Sequence, residues 1–253
     1  MTNLLVFILG TALALNAAGT PLQDVEPQLK KRLAAGIGAD ARLTVRLQTT
    51  ENDKTTLTVT LADWETDVMT VPEVVVAVHD LDAWSRRAPS RNPPPTEITF
   101  RIVLDEDALT EALVYFNPGV MVESAEIAPD RVSVHGLLDV GLGYPVSFSL
   151  DGAPRVHDKT LLLLKPRRVS IFRLALPRSF ARFIEGTLNT VLDLEELDLD
   201  YFVAGEADEY LNLEFLATIE KCRLARERLV ITGAFKTPRR SKTKSARGTS
   251  PPP

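Results

Sequence analysis

The chain has 253 residues, 45% apolar and 25% charged, so it is long enough for one large or two small domains with a substantial core. Its net charge is −5; residues 236–253 contribute +6, and the remainder therefore carries −11, which argues against nucleic acid as the main partner. The single cysteine, Cys222, excludes an intramolecular disulfide.

The N-terminal segment has the pattern of an export signal. Residues 4–15 are almost entirely apolar, and small residues follow at 17–19, as a signal peptidase requires. The run is shorter than the roughly 20 residues that a spanning helix needs, and no basic residue precedes it. We predict that residues 1–19 are a signal peptide, or alternatively an N-terminal anchor, and that the protein is exported to the periplasm or cell envelope.

The next segment, residues 20–39, is predicted to be a linker with a short helix that begins near Pro27 and ends before Gly36. Alternating apolar residues then predict a hairpin of strands 43–47 and 57–61. A third strand is expected at residues 71–78, and a loop rich in proline and arginine follows at 82–95.

A strand that passes directly into a helix is the strongest local signal. Residues 98–104 alternate, and the period then changes to i, i+3, i+4, i+7 at Leu109, Ala112, Leu113 and Phe116. Asp105 is placed to cap the helix. We expect the helix to end at Asn117, because Pro118 disfavours helical geometry there.

The remaining elements are mostly strands. They are predicted at residues 120–127, 131–138, 144–150 (with a turn at Asp151-Gly152), 160–164 and 169–176 (separated or bulged around Lys165-Pro166), and as a closing hairpin of 210–223 and 228–235. A second helix is expected at 177–189, so that 169–189 resembles a repeat of the 98–117 strand and helix. Short connections favour an α+β fold with a curled, mostly antiparallel sheet in a single domain, residues 40–235, followed by a disordered basic tail, 236–253.

The sequence contains no recognisable catalytic motif. The three histidines are isolated, and no nucleophile elbow, phosphate loop or zinc-protease helix is present. Adjacent carboxylates at 105–107 are explained by helix capping, and the acidic residues at 192–200 lack the spacing of a calcium loop. We therefore predict a protein that is not an enzyme and that has no cofactor and no metal.

Basic residues surround the second predicted strand and helix. Together with Phe180 and Phe183 they would suit an anionic amphiphile, with apolar chains between helix and sheet and a phosphate near the arginines. The alternative is charge balance against the acidic run downstream. The basic residues are Lys159, Lys165, Arg167, Arg168, Arg173, Arg178 and Arg182.

The order of these elements resembles the LmeA-like family of exported bacterial phospholipid-binding proteins. The similarity covers about residues 40–235 and is carried by the segments LDEDALTEALVYFNPG, VESAEIAPDRVSVHG, YPVSFSLDG, LLLLKPRRVSIFRLALP and LEFLATIEKCRLARERLVITGAF. The proline-rich loop and the basic tail depart from the family. The resemblance implies a tubular lipid-binding (TULIP-like) fold, in which a strongly curved antiparallel sheet wraps around short amphipathic helices, and a role in assembling envelope lipids or lipoglycans.

We therefore expect a phospholipid-binding or lipid-transfer protein that contacts a membrane surface, with an envelope protein as a further candidate partner. The alternative is a non-catalytic structural or scaffold protein of the envelope. The residues expected to line the acyl chains are Leu109, Leu113, Phe116, Phe180, Phe183 and Ile184. Those expected at the lipid headgroup are Arg167, Arg168, Arg173 and Arg178.

Overall fold

The structure is a computed structural model. It describes residues 22–37, 42–49, 54–80, 97–139, 144–171, 174–175, 190–194, 196–197 and 216–236. The predicted signal segment, the proline-rich loop, the second helix at 177–189 and the tail beyond residue 236 lie outside these residues.

The described residues form two helices and twelve strands, and every strand pairing is antiparallel. This confirms the expected β-rich, antiparallel character of the fold. In chain order the elements are α1 (Leu22–Ile37), β1 (Arg42–Thr49), β2 (Thr55–Glu65), β3 (Thr70–Val78), β4 (Ile98–Leu104), α2 (Glu106–Phe116), β5 (Val120–Ala128), β6 (Arg131–Asp139), β7 (Pro145–His157), β8 (Leu161–Ile171), β9 (Leu174–Ala175), β10 (Thr190–Asp193), β11 (Leu216–Ala225) and β12 (Arg228–Lys236).

The strands divide into two sheets. Sheet 1 has the order β1-β2-β3-β4-β12-β11, so that the last hairpin of the chain pairs with a strand from its first half through Ile102 and Ile231. Its alternation is regular: in β2, Leu57, Val59 and Leu61 are buried, and the threonines between them are half-buried. One contiguous core joins the buried faces of both sheets.

Sheet 2 has the order β10-β8-β7-β6-β5, and the short β9 also pairs with β8. Its two edge strands, β5 and β10, both contact helix α2. Five strands side by side span about 19 Å, whereas a helix is about 10 to 12 Å wide. The sheet must therefore curl strongly for both edges to reach one helix, and it forms a half-barrel with α2 at its open side.

The ends of α2 are fixed by side chains, as the sequence predicted. Asp105 Oδ1 accepts a hydrogen bond of 2.9 Å from the Ala108 amide, which satisfies one of the unpaired amides of the first turn. At the other end, Asn117 Nδ2 donates to the carbonyls of Leu113 and of Thr190 on β10, both at 2.8 Å. The cap at Asn117 thereby ties the helix to an edge of the curled sheet.

The first helix is longer than the sequence predicted. It begins at Leu22, and Pro27 lies inside it. The proline ring is exposed, whereas Leu29 in the next half-turn is completely buried in the core. A proline within a helix removes one backbone hydrogen bond, and burial of the apolar side offsets this loss.

The turn predicted at Asp151-Gly152 was wrong. Strand β7 continues to His157 with a bulge at these two residues. Gly152 pairs with Pro166 of β8, which is therefore also continuous, and a Cβ on Gly152 would lie 2.8 Å from Leu164 Cγ. Glycine permits this close packing because it has no Cβ. At this position it lies at a bulge within a strand and not in a turn.

The strand predicted to run to residue 176 was also wrong. Strand β8 ends at Ile171, and β9 returns antiparallel to it, with Ile171 paired to Leu174 and Ser170 to Ala175. In the 98–117 unit, by contrast, β4 runs straight into the helix cap at Asp105. The strand of the 169–189 segment therefore differs from the strand of the 98–117 segment. The repeat suggested by their apolar spacing does not hold for these strands.

Candidate functional site

The apolar side of α2 faces the core. Leu109 and Leu113, which the sequence predicted to line acyl chains, have no exposed surface and belong to the contiguous core. Phe116 in the last turn is half-buried against that core, and its ring meets Tyr115 edge-on with 5.1 Å between ring centroids. Of the three, only Phe116 borders solvent. Phe180, Phe183 and Ile184 lie outside the described residues.

The predicted headgroup arginines that the structure describes, Arg167 and Arg168, are neighbours on β8 and are both exposed. Arg167 Nη1 donates to the carbonyl of Asp130 at 3.1 Å. Adjacent residues of a strand point to opposite faces of the sheet, and Val169, which follows Arg168, is buried in the same core as Leu113. It therefore lies on the face of sheet 2 opposite to α2, and the structure does not bring it together with the predicted apolar lining. Arg173 and Arg178 lie outside the described residues.

Large exposed apolar side chains gather at one end of the half-barrel. The Pro118-Gly119 turn joins the last turn of α2 to the start of β5, and the amide of Val120 donates to the Asn117 carbonyl at 3.0 Å. Val120 in turn pairs with Leu138 near the end of β6. We call this the apolar end. It comprises the five large apolar side chains that are exposed among the described residues: Val114, Tyr115, Met121, Tyr144 and Leu174.

The pairing register places the three strand-side residues of the apolar end, Met121, Tyr144 and Leu174, within a few rows of one another. Met121 pairs with Leu137, which pairs with Ser147 of β7; Tyr144 precedes that strand by one residue. Leu174 pairs with Ile171, which pairs with Phe148, one row beyond Ser147. These three residues span about 15 Å along the strands, and β5 and β9 lie about 19 Å apart across the sheet. A patch of this kind on an otherwise polar surface marks a site of contact with a partner or membrane.

The outer face of sheet 2 carries a polar groove of about 820 Å³. Its walls are side chains of β5 to β8, mostly hydroxyl-bearing or charged, and we call it the serine groove. The sequence analysis did not single it out, although the alternating serines Ser147 and Ser149 of β7 were the available signal. The lining residues are Glu126, Ser133, His135, Ser147, Phe148, Ser149, Asp151, Arg168 and Ser170.

Metal-binding and nucleophilic groups are the remaining chemistry of the described part of the chain. No three His, Cys, Asp or Glu side chains there are placed to hold a metal ion. Burial raises the pKa of the Cys222 thiol from 9.0 to about 12, so the nucleophilic thiolate is disfavoured near neutral pH. His157 lies 3.0 Å from the carboxylate of its neighbour Asp158, at an exposed turn.

No helix among the described residues is both long enough and apolar enough to cross a bilayer. No family model, curated protein or solved structure matches this chain.

Proposed function

We propose that the chain is a phospholipid-binding or lipid-transfer protein of the bacterial cell envelope, TULIP-like in fold, that holds acyl chains without catalysis. The apolar end carries this proposal. Five exposed apolar side chains are concentrated where a helix and four strands begin or end, which is the geometry of a surface that contacts lipid.

The curl of sheet 2 around α2 supports the same function. A curled sheet with a helix along its open side provides one continuous apolar interior, and that interior reaches solvent at the last turn of α2 through Phe116. In this proposal acyl chains enter at the apolar end beside Phe116, and Phe180, Phe183 and Ile184 of the predicted second helix complete the lining. The tyrosines Tyr115 and Tyr144 suit the boundary between headgroups and acyl chains, since each has an apolar ring and a polar tip.

The mechanism is passive in this proposal. Each methylene of an acyl chain that leaves water contributes roughly 0.8 kcal/mol, so affinity follows the length of chain accommodated. The predicted headgroup arginines attract the phosphate: Arg167 and Arg168, which are exposed on β8, together with Arg173 and Arg178. Arg168 lies on the outer face of sheet 2, so its attraction acts on the approaching membrane rather than on a buried headgroup.

The test is lipid retention by the full chain, purified from a bacterial host without detergent. Organic extraction and mass spectrometry should recover about one equivalent of phospholipid. Phe116→Asp and Phe183→Asp should lose it, because a carboxylate is costly to bury beside an acyl chain. Val75→Asp, on the outer face of sheet 1, is the matched control and should retain the lipid.

A scaffold protein of the envelope is the second candidate, and the complete burial of Leu109 and Leu113 favours it. Such tight packing is typical of a filled core. A folded wild-type chain that carries no lipid and takes up none from added phospholipid vesicles would establish this reading in place of the first.

A further inference from the structure

The serine groove differs from the apolar end in chemistry, although Met121 of the apolar end lies on the same outer face of sheet 2, in the row that leads through Leu137 to Ser147. Its residues lie in register across β5 to β8. One row runs through Glu126, Ser133, Asp151 and Arg168, since each pairs with the next. Two residues along the strands, a second row runs through His135, Ser149 and Ser170. Paired residues of neighbouring strands point to the same face, so the two rows form a polar grid about 7 Å by 14 Å.

The opposite face of the same strands is buried. Val134, Leu150 and Val169 lie between the two rows in sequence, and all three belong to the core. The positions of the grid are therefore fixed by a packed sheet, and the polar side chains are presented on a rigid scaffold.

Part of the grid is already hydrogen-bonded. Ser133 Oγ donates to Asp151 Oδ1 at 2.7 Å, and Asp151 also lies 3.9 Å from Arg131 Nε. Ser149 and Ser170 share a hydrogen bond of 2.6 Å between their hydroxyl oxygens. These bonds orient the hydroxyls and the carboxylate toward the groove with defined donors and acceptors.

Charge narrows the class of ligand. The groove has one guanidinium, from Arg168, and two carboxylates, from Glu126 and Asp151. Its negative charges therefore outnumber its positive charge, which does not favour a multiply charged anion. Phe148, the one large apolar side chain of the lining, is almost completely buried, which does not favour an acyl chain. Although Glu126 lies on the edge strand β5, the neighbouring amides of Ala125 and Ile127 are bonded to α2, which excludes a peptide that adds a strand there.

We propose that the serine groove binds the vicinal hydroxyls of a neutral saccharide, either a free oligosaccharide or the sugar headgroup of a glycolipid. Adjacent hydroxyls of a sugar both donate and accept, and the groove offers both roles: the carboxylates and the Ser133 oxygen accept, Arg168 donates, and the Ser149–Ser170 pair keeps one proton to donate. The volume of about 820 Å³ lies in the range of sites that hold small molecules. This inference shares Arg168 with the proposed lipid function but uses no residue of the apolar end or of the predicted acyl-chain lining, and lipid retention distinguishes the two.

The test uses the full chain and two probes: an array of neutral oligosaccharides, and phosphatidylcholine vesicles with or without a diglycosyl diacylglycerol. Titration calorimetry on the best array sugar should show Arg168→Gln weakening binding about tenfold and Ser149→Ala about fivefold, since each removes a ligand hydrogen bond. Arg155→Gln makes the same charge change on β7 outside the groove and should bind as the wild type does.

The outcomes separate the sources and the alternatives. Binding to the free sugar, or tighter binding to vesicles with the glycolipid than to vesicles without it, with the expected sensitivity to Arg168→Gln, supports the saccharide site and identifies its source. A folded wild type that binds no array sugar and binds both kinds of vesicle equally would overturn it, as would equal weakening by Arg168→Gln and Arg155→Gln. Lipid retention is measured separately, so loss of one result leaves the other intact.

Discussion

The backbone amide of Ala125 on β5 donates a hydrogen bond of 3.0 Å to the hydroxyl of Thr110 on α2. One turn earlier on the helix, Glu106 Oε1 accepts a bond of 2.8 Å from the amide of Ile127. Strand β5 is an edge of sheet 2, and these outward amides would otherwise be unpaired. Two helix side chains four residues apart thus cover a strand edge, which protects it from pairing with another chain.

Thr110→Val should test this contact. Valine has nearly the same shape but cannot accept from Ala125, so the amide is left unsatisfied beside the helix. We expect the free energy of unfolding to fall by about 1.5 kcal/mol in urea denaturation. Thr58→Val, a half-buried threonine on the outer face of β2, is the matched control and should change it by less than about 0.5 kcal/mol. Equal effects of the two substitutions would contradict the role of Thr110.

The N-cap of α2 offers a second matched pair. Asp105 accepts from the Ala108 amide, whereas Asp107, two residues later, is exposed and has no part in that bond. Asp105→Ala should lower the free energy of unfolding by about 1 kcal/mol. Asp107→Ala loses only its interaction with the helix dipole and should cost about 0.3 kcal/mol. A larger loss from Asp107→Ala, measured by the same urea denaturation, would show that charge and not capping fixes this end.

These two predictions concern the part of the fold that the sequence could foresee. Asp105, the stripe from Leu109 to Phe116 and the alternation of Leu57, Val59 and Leu61 are local signals, each readable within about ten residues. Helix α2, its cap and most hairpins followed from them. The bulge at Gly152 was missed because a glycine in a strand and a glycine in a turn have the same sequence signature.

The division into two sheets could not be predicted in this way. Alternation indicates that one face of a strand is buried, but it does not identify the strand with which it pairs. The pairing of Ile102 with Ile231, for example, joins distant parts of the chain. The candidate sites depend on that same information. Met121, Tyr144 and Leu174 are unremarkable in sequence, and they lie at one end of sheet 2 only because the register places the ends of β5, β7 and β9 together.

Cys222 provides a prediction about pH. Burial raises the pKa of its thiol from 9.0 to about 12 in the folded chain. Below about pH 9 the thiol is protonated in both states, so it leaves the free energy of unfolding unchanged. Between about pH 9 and 12 only the unfolded chain releases the proton, so this free energy should fall by up to about 1.4 kcal/mol per pH unit.

The measurement compares urea denaturation of the wild type and Cys222→Ala between about pH 8 and 10. Lysines and tyrosines begin to titrate in this interval, and because both proteins contain them, the comparison isolates the contribution of Cys222. The wild type should lose more stability over this interval than the variant. N-ethylmaleimide should also label Cys222 slowly in the native chain near pH 8 and rapidly in urea. Rapid native labelling, or parallel loss of stability in both proteins, would contradict the raised pKa.

The apolar end provides the prediction that bears most directly on function. Met121 and Leu174 are 63% and 71% exposed, which is costly for large apolar side chains unless they contact lipid or a partner. The double variant Tyr115→Ser/Met121→Ser should therefore bind phosphatidylcholine vesicles at least about tenfold more weakly than the wild type in flotation assays. Salt should change the difference in binding between the wild type and the double variant little, because the residues removed are uncharged.

Val75→Ser on the outer face of sheet 1 is the control for this loss of apolar surface, and it should leave vesicle binding unchanged. Because the residues of the apolar end lie outside the packed core, the double variant should unfold at nearly the wild-type urea concentration. If it is folded and still binds vesicles as the wild type does, the apolar end does not contact lipid. Its exposed side chains would then be the surface on which an envelope protein docks, and the scaffold function would gain the support that the lipid function loses.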